Sequence, residues 1–210
     1  MKNCYINGVG CISSQNTFET EFLSDIKIND SENVLFAVQP SYKEFIPPAA
    51  IRRMAIVVIM GIAASSKAIK EADVSIPDAI ITGTGMGCVE DSEKFLQAIL
   101  DNDEQFLTPT SFIQSTHNTV GGQIALGLQC KGYNFTYVNG AVSFESALLD
   151  AKMQIQNDEA STILVGGVDE TANHTLKLFK LIDIIKKELP LEIAAYHKSI
   201  EALDYKNASE

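Results

Sequence analysis

The stretch Phe135 to Glu170, FTYVNGAVSFESALLDAKMQIQNDEASTILVGGVDE, predicts a strand, a sharp turn, a helix and a second strand. Its first four residues are β-branched or aromatic, and Asn139-Gly140 breaks the run. An amphipathic helix follows to Asn157, and TILVGG is typical of a buried strand. The residue at the start of the helix, Ala141, stands where the positive end of a helix dipole would activate a nucleophile. Because a methyl group has no lone pair, the turn is predicted to carry no nucleophilic chemistry.

Strands and helices are predicted to alternate along the rest of the chain, which indicates an α/β layer fold. The remaining predicted strands are Cys4–Ile12, Val34–Val38 and Ala79–Thr82. The remaining predicted helices are Ala49–Ala72, Glu90–Leu100, His117–Leu128, Asn173–Lys187 and Leu191–Leu203, with a loop or short helix beginning at Thr108. We expect a single domain over residues 1–210, in which residues 173–210 form a helical C-terminal extension.

The composition is that of an ordinary globular protein, with 46% hydrophobic and 20% charged residues. A net charge of -11 argues against a nucleic-acid surface and against an anionic membrane. It would also repel an acidic carrier protein unless a local basic patch received that carrier. The candidate patches are Arg52 with Arg53, Lys67 with Lys70, and Lys177 with Lys180, Lys186 and Lys187.

The four cysteines form no C-x-x-C pair and have no metal-ligand spacing with the three histidines. We therefore predict no disulfide, no metal, no cofactor and a reduced, cytoplasmic chain. The start, MKNCYINGVG, lacks the features of a signal peptide. The longest apolar run, Met54–Ala64, has about half the length that a membrane span needs, so we predict a buried helix.

Six segments together resemble the amino-terminal half of β-ketoacyl synthases of the thiolase superfamily. They are INGVGCISS, IRRMAIVVIMGIAASSKAIKEA, GTGMG, TPTSFIQSTHNTVGGQIALGL, TYVNGAVSFESALLDA and GVDE. The fifth takes the place of the family pattern T-x-x-T-A-C-x-S-G-x-x-A-x-x-x-A, so that Ala141 falls on the nucleophilic cysteine. The resemblance covers about Cys4 to Ala172, and it implies a thiolase-like half-fold with a mixed five-stranded sheet flanked by helices. The family's second half, with two catalytic histidines, has no counterpart in this sequence.

The same resemblance suggests where an acyl chain and a partner subunit would bind. The acyl-pocket candidates are Met86, Phe112 and Ala141, and the dimer-interface candidates are Asn118, Gly121, Gly122, Phe135 and Tyr137. A Gly-Gly pair inside a helix costs about 1 kcal/mol per residue relative to alanine, which suggests the close approach of another backbone.

Several other residues have plain structural interpretations. Ser143 is expected to face a polar stripe with Ser146 and Asp150, and His174 and His197 are expected at the surface. The helix after the turn should bury one broad apolar face made of Phe144, Ala147, Leu148, Ala151 and Ile155. A second, narrow ridge of Val142, Leu149 and Met153 either contacts a partner chain or an acyl group, or consists of ordinary surface side chains.

The leading functional hypothesis is a non-catalytic ketosynthase-like subunit, similar to a chain-length factor, in bacterial fatty-acid, polyketide or aryl-polyene biosynthesis. It would pair with an active ketosynthase, and an acyl carrier protein is a further possible partner. One alternative is part of a 3-oxoacyl carrier-protein synthase, an acyltransferase, whose second half lies on another chain or is absent from this sequence. The other is a stand-alone homodimeric scaffold.

Overall fold

The computed structural model describes residues 2–20, 26–28 and 34–185. Three strands in this part of the chain are β1 (Ala79–Gly83), β2 (Tyr133–Tyr137) and β3 (Ile163–Gly167). Seven α-helices in it are α1 (Pro48–Ile51), α2 (Ile56–Glu71), α3 (Val89–Asp101), α4 (Pro109–Ser115), α5 (Thr119–Leu128), α6 (Ser143–Gln156) and α7 (Asn173–Leu181). A single 3₁₀ turn, Gly140–Val142, precedes α6.

The sheet is parallel, with strand order β2-β1-β3. Ile81 of β1 lies opposite Phe135 of β2 and Val165 of β3. All five residues of β1 are buried, as expected for a central strand of a parallel sheet covered on both faces.

The two faces of β1 belong to two separate hydrophobic clusters, because successive side chains of a strand point to opposite sides. Ile80 packs with Val57, Val58, Val120 and Ile124, which come from α2 and α5. Ile81 packs on the other face with Ala147 and Ala151 of α6. The molecule therefore has three layers, in which the sheet lies between α2 and α5 on one side and α6 on the other.

The α/β fold class is confirmed, but the mixed five-stranded sheet is not, since the described residues form three parallel strands. The predicted strands Cys4–Ile12 and Val34–Val38 are irregular. The first of these segments lies against α2, where Gly8 and Gly10 meet the backbone at Ala68 and Ala64. The Val9 N–H donates to a Glu71 carboxylate oxygen instead of to a neighbouring strand. The prediction of these two strands was therefore wrong, and the first segment is held against α2 through Val9.

The predicted helix Ala49–Ala72 is divided into α1 and α2. The Arg53 and Met54 N–H groups make turn hydrogen bonds to carbonyls three residues earlier, and Ala55 is extended at φ -59° and ψ 146°. This break allows Ala55 to join the core cluster. The run Met54–Ala64 otherwise forms a buried helix as predicted, and no helix in the described ranges is long and apolar enough to cross a bilayer.

The remaining predicted elements of the central part, residues 79–167, are confirmed within a few residues. At the C-terminal end α7 stops at Leu181. The predicted helix Leu191–Leu203, His197 and most of the predicted extension 173–210 lie outside the described residues.

Candidate functional site

The carboxyl ends of the three parallel strands meet at one edge of the sheet, which is where α/β folds usually hold their ligands. The carboxylate of Asp169, just after β3, accepts hydrogen bonds from the Gly85 N–H (2.8 Å), the Met86 N–H (3.1 Å) and the Thr84 hydroxyl (2.9 Å). The Gly87 N–H in turn donates to the Thr84 hydroxyl oxygen (2.8 Å). Asp169 thus fixes the loop that leaves β1.

The turn after β2 carries Ala141 on the exposed surface of the 3₁₀ segment. Gly140 has a φ of 59°, which lies in the left-handed region that favours glycine. The buried Ser143 hydroxyl donates to the Gly140 carbonyl (2.7 Å) and accepts from the Asn139 N–H (2.8 Å). Ser143 therefore stabilises the turn and does not lie on a polar surface stripe, which corrects the sequence-based expectation.

Helix α6 begins unusually close to β1. A Cβ atom at Gly83 would lie 2.5 Å from the carbonyl carbon and oxygen of Ser143. Gly85 is near the same turn, since its Cβ position is 3.7 Å from the Gly140 carbonyl oxygen. The glycines at and just after the end of β1 therefore bring the turn that carries Ala141 against the loop that carries Met86.

The electrostatic environment near this edge disfavours Cys88 as a substitute nucleophile. Burial, together with Glu170 and Asp91, raises the pKa of the Cys88 thiol to about 12. Burial also raises the pKa of Glu170, although its carboxylate accepts a hydrogen bond from the Glu90 N–H (3.0 Å). A thiol with such a pKa is neutral at pH 7 and is a poor nucleophile. The Ser143 hydroxyl, which is already bonded to the backbone, has no histidine partner in the described part of the chain.

The three acyl-pocket candidates all lie at least partly in solvent. Met86 is in the loop after β1, Ala141 is in the turn before α6, and Phe112 is on α4 with its ring 5.5 Å from that of Phe95. Two cavities, of about 630 and 520 Å³, lie where the α1–α2 junction meets α4, and α3 also lines the larger one. None of the three candidates lines either cavity, so the acyl pocket stays a prediction.

The interface candidates lie on β2 and α5, and some of them already have contacts inside the chain. The Asn118 amide donates to Asn134 Oδ1 (3.0 Å) and Thr136 Oγ1 (2.8 Å). A Cβ at Gly121 would lie 3.1 Å from Thr82 Oγ1. Glycine at this position therefore lets α5 lie close to side chains of its own sheet. The sequence had instead suggested the close approach of another backbone.

The remaining three candidates are at least partly exposed. A Cβ at Gly122 would meet only Asn118 Oδ1, at 3.4 Å. Phe135 and Tyr137 lie on the α6 face of β2, with ring centroids 4.9 Å apart. Because β2 pairs with β1 on one side only, its other edge has no strand partner among the described residues. Their role in a dimer stays a prediction.

Sequence reasoning did not single out Asp169, Thr84 or His117 as site residues. His117 also lies at this edge of the sheet, since a Cβ atom added at Gly87 would be 3.1 Å from its ring. The signal available for Asp169 was its position directly after a strand that ends in Gly-Gly. His174 is exposed as predicted, and no group of three possible metal ligands occurs in the described ranges.

Helix α6 buries only part of the face predicted. Ala147 and Ala151 of that face are buried and Ile155 is half-buried, whereas Phe144 and Leu148 are exposed. Ser143 and Gln154, which were not predicted to be buried, complete the covered side. Small side chains face the sheet because α6 approaches β1 so closely. The ridge residues Val142, Leu149 and Met153 are exposed as well.

Fold and site together define an α/β domain with a strand–turn–helix unit that carries Ala141 in its turn. The profile of the β-ketoacyl synthase N-terminal domain matches residues 20–187. The chain belongs to this family. A search of curated proteins found no match to this sequence.

Solved structures share the fold at low sequence identity. The ishigamide ketosynthase/chain length factor superposes with a TM-score of 0.62 and 22% identity, over 72% of this chain and 44% of its own. A type II polyketide synthase acyl-carrier protein in complex with its ketosynthase bound to the hexaketide has a TM-score of 0.59 and 17% identity, over 67% of this chain and 42% of its own. A ketosynthase in complex with its chain length factor from Xenorhabdus doucetiae has a TM-score of 0.50 and 20% identity, over 60% of this chain and 50% of its own. This chain thus spans half or less of the length of these relatives.

Proposed function

We propose that this protein is a non-catalytic ketosynthase-like subunit of the chain-length-factor type, which supports an active ketosynthase in bacterial polyketide, aryl-polyene or fatty-acid assembly. The observation that carries the proposal is Ala141 at the apex of the strand–turn–helix unit. Condensation needs a thiolate at this point to accept the acyl group, and alanine provides none. The solved relatives that include chain length factors and their ketosynthase partners support the choice of class.

The subunit would act by contact, shaping a partner's acyl tunnel or stabilising the partner. The free edge of β2, with Phe135 and Tyr137, and the exposed side of α5 at Gly122 are the proposed interface. An unpaired strand edge carrying aromatic side chains readily adds a strand from another chain. An acyl carrier protein is a second proposed partner, with Arg52 and Arg53 as its candidate basic patch.

A second function is favoured by the lengths in the structural comparison. Because the chain covers 44% of the ishigamide protein chain, the second half of a synthase would lie on another chain or outside the given residues. In that case the two halves together would form the synthase fold, and Ala141 would stand at the position of its nucleophile.

The test is purification of the protein from its native cell, followed by mass identification of whatever co-elutes. A full-length ketosynthase supports the first function, and a chain resembling the second half of a synthase supports the alternative. The variant Phe135→Glu should release the partner, whereas Phe106→Glu, at an exposed phenylalanine away from β2, should retain it. Partner retention by folded Phe135→Glu would contradict the interface.

The missing chemistry is tested directly by intact mass after incubation with acyl-carrier and coenzyme A thioesters. We expect no stoichiometric acyl adduct on the isolated protein. The variant Ala141→Cys should also fail to catalyse condensation, because a thiol alone supports neither decarboxylation nor stabilisation of the oxyanion. A stoichiometric adduct on the unmodified protein would refute the proposal.

A further inference from the structure

The loop that leaves β1, residues 84–87, gathers hydrogen-bond donors around one carboxylate oxygen. Three donors converge on Asp169 Oδ1: the Gly85 N–H at 2.8 Å, the Met86 N–H at 3.1 Å and the Thr84 hydroxyl at 2.9 Å. The Gly85 N–H also donates to Asp169 Oδ2 (3.1 Å). Successive backbone N–H groups that point to one acceptor form a nest, which is an arrangement that binds anions. Loop 84–87 therefore has the geometry of a small anion site.

Contacts that do not involve the carboxylate hold these donors in place. Thr84 is 2% exposed, and its N–H donates to the Tyr137 carbonyl at the end of β2 (2.9 Å). The Thr84 hydroxyl oxygen accepts the Gly87 N–H (2.8 Å), so the hydroxyl hydrogen is left to point to the anion. Gly87 has a φ of 67°, in the left-handed region that favours glycine. The conformation of the loop is thus set largely by its own backbone.

The end of β3 delivers the carboxylate to this site. Strand pairing continues past β3, since the Val168 N–H donates to the Gly83 carbonyl (3.0 Å). Asp169 follows directly, so its side chain reaches the loop after β1. The neighbouring carboxylate of Glu170 accepts a hydrogen bond from the Glu90 N–H (3.0 Å) and is bound to the start of α3. The two acidic residues after β3 therefore have separate donors.

No cation shares the charge of the Asp169 carboxylate among the described residues. The two ion pairs in this part of the chain are Lys2–Asp158 and Lys94–Glu90. Asp169 is exposed, so water is available to its carboxylate, yet it accepts four hydrogen bonds from loop 84–87. Hydrogen bonds to an ionised acceptor are about twice as strong as those between neutral groups. The attraction of the loop for a carboxylate therefore comes from its N–H and O–H groups.

We propose that loop 84–87 is a binding site for one carboxylate group, and that Asp169 is the ligand that this chain supplies to it. Occupancy of the site, and not the covalent link to β3, orders the loop, so a free small carboxylate takes the place of the Asp169 side chain when that side chain is removed. Because the Met86 N–H is one of the donors, occupancy also fixes the position of Met86. The inference goes beyond the proposed function and does not depend on it, since every group involved lies within this chain.

The test removes the carboxylate and returns it as free formate. In Asp169→Ala the amide NMR resonances of Gly85 and Met86 should shift upfield, because both N–H groups lose their acceptor. Hydrogen exchange at the same two amides should become at least about tenfold faster, as expected for the loss of one hydrogen bond each. Formate should reverse both changes in a saturable manner. A ligand with so few atoms binds weakly, so half-saturation is expected at about 1 mM or above.

Two ligand controls and one variant separate carboxylate binding from general effects. Sodium chloride at the same ionic strength should not reverse the changes, and neither should formamide, which has the shape of formate without its charge. The matched variant is Asp101→Ala, which removes an exposed carboxylate that accepts a hydrogen bond from the Gln97 side chain (2.7 Å). It should leave the Gly85 and Met86 resonances unchanged, with or without formate.

Circular dichroism first establishes whether Asp169→Ala folds. If it folds, the proposal is overturned by unchanged Gly85 and Met86 resonances, by changes that formate does not reverse, or by equal reversal with chloride or formamide. If the variant folds in formate but not in sodium chloride, that recovery supports the proposal in the same way. Failure to fold in either salt would assign Asp169 a role that a free carboxylate cannot replace, and would also overturn the proposal.

Discussion

Of the contacts around the turn that carries Ala141, the one between Gly83 and the start of α6 is predicted to tolerate an added side chain least. In Gly83→Ala the new Cβ would lie 2.5 Å from the Ser143 carbonyl atoms and 2.7 Å from the Phe144 nitrogen. Ordinary contacts begin near 3.4 Å, so β1 and α6 must separate by about 1 Å.

The magnitude follows from the nature of the obstacle. Overpacking in a core typically costs about 1–3 kcal/mol. Because the obstacle at Gly83 is helix backbone, which cannot rotate away, we expect the upper end of that range, about 3 kcal/mol. For a domain of this size that corresponds to a decrease of about 6–12 °C in the unfolding midpoint.

The assay is thermal and urea unfolding followed by circular dichroism, with Gly166→Ala as the matched control. Gly166 lies in β3 opposite Thr82, next to Gly83, and an added Cβ there would meet nothing within 4 Å. Its unfolding free energy should change by about 0.5 kcal/mol or less. Equal midpoints for the two variants would refute the argument that backbone approach at Gly83 positions the turn.

Two further predictions concern titratable groups. The exposed Cys4 should react rapidly with an aromatic disulfide at neutral pH. Cys88 is buried and has a pKa of about 12, so it should react only as the protein unfolds. Peptide mass mapping measures both reaction rates, and similar rates would be inconsistent with the burial of Cys88. Hydrogen bonds from the Thr162 and Ser161 N–H groups lower the pKa of Asp78. The ionised carboxylate therefore stabilises the folded protein above the ordinary pKa of 3.8, and this stabilisation is lost as the pH falls through the lowered pKa. In urea unfolding, Asp78→Ala should lose less stability than the wild type on acidification. Parallel pH profiles of the two proteins would count against this linkage.

Local pattern was enough to predict the central part of the fold. Strands β1, β2 and β3 could be read from short β-branched or aromatic runs ending at glycine or asparagine, because such side chains favour an extended backbone. Burial was predicted less well, since β3 was expected to be a buried strand but is only half-buried. The absence of a nucleophile at Ala141 also followed from sequence, since it depends on residue identity and on position in a strand–turn–helix unit. The predicted first strand, Cys4–Ile12, was wrong because a short local run does not reveal whether a strand edge is available for pairing.

Tertiary contacts decided which residues face the core and what the small residues do. Periodicity assigned Phe144 and Leu148 to the core side of α6, yet the approach of β1 at Gly83 leaves room only for Ser143, Ala147 and Ala151 beneath the helix. The same applies to Asp169, whose carboxylate orders the loop after β1 through contacts more than 80 residues away in sequence. A sequence pattern reports which side chains share a face of one element, whereas the distance between elements determines which face is buried and which remains available to a partner.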